Sequence, residues 1–135
     1  IPNQMDVDGS FIDEIKRTNS YSYNHYNLEA STIICEIAYN KGVDLWNFKT
    51  SDNKGMECGI KFMLPYLENP FLWNHQQISG VFWGDSICLQ LGGLRLNIEK
   101  CAEVNKLRGK DYKLIRSASI LGPLAVLPGF ERASD

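Results

Sequence analysis

The sequence contains no apolar run approaching the ~20 residues that a membrane-spanning helix needs, so no such span is expected. Histidine is scarce, with His25 and His75 only, and none of the four cysteines falls in a Cys-x-x-Cys pair. That pattern argues against a structural zinc site, and neither a metal nor a cofactor is expected. Charge of one sign is also missing in bulk: the formal net charge is -2. Nothing in that balance attracts nucleic acid or anionic lipid, and a polyanionic partner would require a local basic patch. Alternating strand patterns are rare, and there is no internal repeat, low-complexity run or linker, which leaves a helical reading. A charged n-region followed by an apolar h-region is absent from the start. The chain opens on Ile1-Pro2-Asn3 without Met and reads as a processed product, so a missing leader says nothing about secretion.

What is present is the chemistry of one globular domain over residues 1–135, with 44% hydrophobic residues to build a core. Residues 1–10 read as an extended loop turning at Asp8-Gly9, and Phe11 to Arg17 as one or two helical turns. A first helix is predicted over 23–41, with Gly42 as its C-terminal stop. After a loop over 43–53, Ser51-Asp52-Asn53 supplies N-cap chemistry for a second helix over 54–68, kinked or ended near Pro65. Residues 69–83 form an aromatic-rich loop. A third helix over 85–107 is interrupted at Gly92-Gly93, and a fourth is expected over 111–121. Cys35 and Cys58 fall mid-helix in successive helices, where they either face each other as a disulfide or remain buried thiols. Lys106, Arg108, Lys110 and Lys113 form a late basic cluster, read as a solvated helix end or as an attraction for a polyanion.

The stretch with the densest chemistry runs from Asp8 to Ala30. It holds Arg17, Tyr21, Tyr23, His25 and Tyr26, and its helical phase places Tyr23 and Tyr26, three apart, on one face. Tyrosines at that spacing are packing residues in most helices. The other reading is a cleft lined by phenols beside a guanidinium.

Asp8-Gly9-Ser10-Phe11, Glu14-Ile15-Lys16-Arg17-Thr18 and Ser22-Tyr23-Asn24-His25-Tyr26-Asn27-Leu28-Glu29-Ala30 resemble, in order and spacing, a segment of the alginate lyase domain superfamily. Gly42-Val43-Asp44-Leu45-Trp46, Phe62-Met63-Leu64-Pro65-Tyr66 and Trp73-Asn74-His75-Gln76-Gln77-Ile78 extend the resemblance over about residues 3–80. It implies an all-α fold of antiparallel helical hairpins forming part of an incomplete α/α toroid, with this chain as its C-terminal portion. It also implies a secreted or periplasmic enzyme that cuts a uronic-acid polymer, alginate or similar, by β-elimination. That reaction needs a cation to neutralise the carboxylate, a base for the neighbouring proton, and an acid for the leaving oxygen.

Carried over residue by residue, Arg17 matches the arginine and Tyr23 the catalytic tyrosine. Some members carry one more residue between the two, which keeps Tyr26 as a second candidate. His25, Trp46, Trp73, His75 and Gln77 are the candidate substrate-binding residues, with Trp83 a further aromatic. The family's Asn-His pair lies upstream of this segment, so a companion polypeptide is expected to carry it and to cover apolar faces such as Leu28 with Ile33 and Ile60 with Leu64. The alternative is a non-catalytic carbohydrate-binding or structural protein that keeps the fold.

Overall fold

The structure, a computed structural model, describes residues 3–81 and 84–109. Within them the elements are α1 (Ser20–Asn40), α2 (Met56–Glu68), a short 3-10 turn (Pro70–Leu72), α3 (Ile87–Arg95) and α4 (Glu99–Arg108), and no strand is present among the described residues. The all-α expectation holds. Phe82, Trp83, the helix expected over 111–121, and Lys110 and Lys113 lie outside the described residues.

α1 begins three residues earlier than its apolar phase suggests. Ser20 is anchored from outside, its N–H and Oγ both donating to the Gln76 carbonyl at 3.1 and 2.6 Å. At its other end Gly42 takes a positive φ of 80°, and two bonds close a Schellman turn: Gly42 N–H to Tyr39 O (3.0 Å) and Val43 N–H to Ala38 O (3.0 Å).

The expected N-cap of α2 is not found. Ser51, Asp52 and Asn53 instead close a tight turn, in which Thr50 Oγ1 donates to Asp52 and accepts from the Lys54 N–H. α2 starts behind Gly55 without a side-chain cap. Pro65 sits inside α2, which runs on to Glu68. Gly92 and Gly93 do not interrupt α3. They are points of close packing, since a Cβ at Gly92 would lie 2.3 Å from Ile60 Cδ1 and one at Gly93 2.7 Å from Cys101 Cβ. The break falls instead at Leu96-Asn97-Ile98, where Asn97 adopts φ 54°.

The helix directions follow from their contacts. The Tyr21 hydroxyl donates to Tyr66 O at the start of α1 and the end of α2, while Leu28 reaches Gly59, so these two helices run antiparallel. Ser86 N–H donates to Asn105 Oδ1 and Gly93 abuts Cys101, so α3 and α4 form a second antiparallel pair. Glu29 meets Ile87 and Glu36 meets Arg95, so α1 and α3 run in the same direction. The core between them holds Met5, Phe11, Leu28, Trp46, Met56, Ile60, Met63, Leu67, Leu89 and Val104.

Of the two faces expected to await a partner, Leu28 and Ile60 are fully covered within the chain, and Ile33 and Leu64 are half-buried. The open apolar face lies elsewhere on α1, where Tyr26, Ile34 and Ile37 are 73%, 59% and 55% exposed. All four cysteines are free, and Cys58 spends its thiol on Val7 O at 3.4 Å. Arg108 is buried, so the basic cluster is not a solvated patch at that position.

Candidate active site

The N-terminal loop is held against α1 by Asn24, fully buried, whose Oδ1 accepts from Phe11 N–H at 2.9 Å and whose Nδ2 donates to Ser20 O. Behind Phe11 the chain makes successive turns, with Ile15 N–H on Phe11 O and Arg17 N–H on Glu14 O. These turns deliver Arg17 to the first turns of α1. Its Cζ lies 3.6 Å from the centroid of the Tyr23 ring, a stacked cation–π contact. Stacking uses the face of the guanidinium and leaves its in-plane N–H donors, of which NH1 reaches Glu14 Oε2 at 3.4 Å. The Arg17 side chain is half exposed. The structure thus brings together the two residues that sequence pairs as cation and phenol.

Tyr26 does not join them. It lines a separate cleft of about 340 Å³ with Tyr21, Ser22, His25, Glu29 and Asp85. Inside this cleft His25 Nε2 lies 3.0 Å from Glu29 Oε1 and 3.1 Å from Ser86 Oγ. Ser86 Oγ donates to Glu29 Oε1, and the two Glu29 oxygens also accept from Ile87 N–H (3.1 Å) and Cys88 N–H (3.3 Å). Glu29 is therefore the anion that caps the start of α3. Burial pushes its carboxyl upward, but the His25, Ser86 and Cys88 bonds and the His25 charge outweigh this and hold it below the usual range.

Beside the cleft, Arg108 donates to Gly84 O (3.0 Å), Leu67 O (2.9 Å) and the Tyr21 hydroxyl (3.5 Å). Burial raises the Tyr21 phenol against the opposing pull of Arg108, and burial likewise raises the Asp85 carboxyl.

The remaining candidates divide. Gln77 borders α1 directly: its Nε2 donates to Ser22 Oγ at 3.0 Å, and an isolated antiparallel bridge joins it to Asn19. His75 is exposed and tilts against Trp73 at 5.1 Å between rings. Trp73 is not a free stacking platform. It sits edge-on among Tyr21, Phe62 and Tyr66, and its Nε1 donates to Ser20 Oγ at 2.9 Å. Trp46 is a correction, because it is buried in the core with its Nε1 on Glu36 Oε2 at 3.2 Å. His25 is also buried, reaching the surface only where it lines the cleft.

Sequence reasoning missed Glu29, Ser86, Cys88 and Asp85. The i, i+4 spacing of His25 and Glu29 was readable, but Ser86 and Cys88 lie some sixty residues away. No metal was expected, yet a ring nitrogen of His25, a carboxylate oxygen of Glu29 and Cys88 Sγ lie within 4.8 Å of one another.

Comparison with known proteins adds two findings. A family model described as alginate lyase matches residues 1–73. A solved structure of an alginate lyase from Bacteroides ovatus is similar with a TM-score of 0.73 at 22% identity, over 89% of this chain and 33% of that one. The chain therefore spans about a third of that protein's length, and its helices form part of an incomplete α/α toroid. No curated protein matches.

Proposed function

This chain belongs to the alginate lyase family, and on that premise we propose that it serves a polysaccharide lyase cutting a uronate polymer by β-elimination. The observation that carries the reading is the Arg17–Tyr23 stack at 3.6 Å, formed inside the family-matched region. Arg17 pairs with the uronate carboxylate through its in-plane donors and so stabilises the negative charge that builds up beside it. Tyr23, acting as the phenolate, takes the proton from carbon five and becomes the phenol. As the double bond to carbon four forms and the glycosidic carbon–oxygen bond breaks, a phenolic proton passes to the leaving oxygen. Among the described residues the Tyr23 hydroxyl donates no hydrogen bond to protein, which suits a group that must face substrate.

The reading extends to completeness. His25 is bonded to Glu29 and Ser86, and exposed His75 packs against Trp73, so neither is assigned the role of the family's Asn-His pair. Further polypeptide is proposed to supply that pair and to cover the Tyr26, Ile34 and Ile37 face of α1, since an open apolar face of this kind marks an association surface.

The test is incubation with alginate and with a neutral glucan, following the ultraviolet absorbance of the unsaturated uronate. Absorbance that rises with the uronate polymer alone supports the reading, and its absence from the complete protein overturns it. Native mass measurement tests the second part: a stable monomer of 15.3 kDa with full activity contradicts it.

A further inference from the structure

We propose that His25, Glu29 and Cys88 form a binding site for one divalent ion of the zinc class, independent of the elimination chemistry above. One ligand atom from each residue, an imidazole nitrogen of His25, a carboxylate oxygen of Glu29 and Cys88 Sγ, brings the three within 4.8 Å of one another. Ligands of a tetrahedral zinc, at about 2.0 Å for nitrogen and oxygen and about 2.3 Å for sulfur, stand roughly 3.3–3.8 Å apart. His25 and Glu29 already meet at 3.0 Å, so closure on an ion requires these two to part slightly and the Cys88 and Ser86 side chains to adjust.

The hub of the cluster is also in place. Ser86 Oγ contacts all three residues: His25 Nε2 at 3.1 Å, Cys88 Sγ at 3.1 Å, and Glu29 Oε1. Ser86 Oγ thus fills the space between nitrogen, oxygen and sulfur, and it must turn aside for an ion to enter, whose fourth position then falls to that hydroxyl or to water.

The scaffold is rigid. His25 and Glu29 occupy i and i+4 on α1, and Cys88 stands in the first turn of α3. Glu29 Oε2 keeps its bond from Ile87 N–H while Oε1 turns to the ion, which orients the carboxylate. The mixed nitrogen, oxygen and thiolate set selects zinc-like ions over calcium or magnesium, which favour oxygen alone. Binding breaks the Cys88 S–H bond and forms a sulfur–metal bond, and the thiol proton, together with the Nε2 proton of any charged His25, passes to solvent. Burial and the neighbouring Glu29 charge push the Cys88 thiol well up, so the ion itself must draw off the proton, and the thiolate and ionised Glu29 then balance its two positive charges. Entry is through the cleft that His25 and Glu29 line.

Cobalt(II) added to chelator-treated protein tests this directly. The expected result is saturation at one equivalent, with a thiolate-to-cobalt charge-transfer band and tetrahedral visible bands. Cys58→Ser retains the charge-transfer band, Cys88→Ser loses it, and His25→Gln weakens cobalt binding at least ~10-fold. No saturable binding up to millimolar cobalt, or a band that survives in folded Cys88→Ser, overturns the proposal. X-ray absorption of the unsubstituted zinc-loaded protein decides the matter without any variant. One sulfur at about 2.3 Å with nitrogen and oxygen at about 2.0 Å is expected, and a shell without sulfur refutes the site.

Discussion

Replacing Glu36 by Ala probes the interior most sharply. Its carboxylate is fully buried, yet it carries three bonds: Arg95 Nε at 3.0 Å, Arg95 NH2 at 2.6 Å and Trp46 Nε1 at 3.2 Å. The guanidinium also stacks on Tyr39, with Cζ 4.0 Å from the ring centroid. Breaking a buried pair by removing one partner costs about 3–5 kcal/mol, and an orphaned buried N–H such as that of Trp46 costs about 1–3 kcal/mol. Both penalties arise from one carboxylate and do not simply add. Arg95 is partly exposed and can turn to water, which places the expected loss near the lower end, about 3 kcal/mol. That is a large share of the roughly 5–15 kcal/mol by which domains are stable. Urea unfolding followed by circular dichroism reads it. Glu36→Gln should lose less, because its amide oxygen still accepts from Trp46. Arg95→Ala should couple to Glu36→Ala by at least ~1 kcal/mol in a double-mutant cycle. A loss below ~1 kcal/mol for Glu36→Ala, or strict additivity of the two, would refute the claim that this pair locks the end of α1 to α3 and to the Trp46 loop.

Arg17→Ala should lower turnover on uronate polymer at least ~10-fold while leaving the unfolding midpoint nearly unchanged, since a half-exposed side chain contributes little to stability. Tyr26→Phe should leave turnover within ~3-fold of the unsubstituted protein, because substitutions off the reacting groups shift barriers by well under 1.4 kcal/mol; loss of turnover there would reassign the catalytic phenol. Glu57, bonded by Lys49 at 2.6 Å and Lys61 at 2.5 Å, has its carboxyl held down to about 2 from 4.5 by those two bonds. Its folded pKa is depressed, so its contribution is present above pH 4.5 and is lost as pH falls toward 2. Because the group is near the surface, Glu57→Gln should remove about 1 kcal/mol or less, and the gap between the two proteins should close in acid. Gly9→Ala should destabilise by more than ~1 kcal/mol in thermal or urea unfolding, since φ is +95° and the added Cβ would lie 2.3 Å from Cys58 O.

The helices were legible in sequence because apolar periodicity and Gly42 state their phase and end. Their exact starts were not, because contacts from distant residues set them. Ser20 starts α1 through Gln76, and Thr50 draws Asp52 away from capping α2. Gly92-Gly93 looked like a stop because local propensity was read without Ile60 and Cys101, whose approach is what those glycines permit. The Arg17–Tyr23 pair was legible because both partners lie in one short stretch. Trp46 and Trp73 stayed open between packing and sugar stacking for the converse reason. An exposed indole and a buried one look alike in sequence, and the partners that cover these two, Glu36 on α1 for buried Trp46 and Tyr66 on α2 for half-buried Trp73, become neighbours only after folding. The cluster of His25, Glu29, Ser86 and Cys88 was half visible as an i, i+4 pair, and its second half arrives with α3.

The central claim is that Tyr23 moves the proton during elimination, and removing its hydroxyl alone tests this most directly. In the complete enzyme carrying Tyr23→Phe, formation of unsaturated uronate should fall at least ~100-fold, the scale of a lost acid–base group, with helix content unchanged. Turnover in folded Tyr23→Phe close to that of the unsubstituted enzyme would contradict the account.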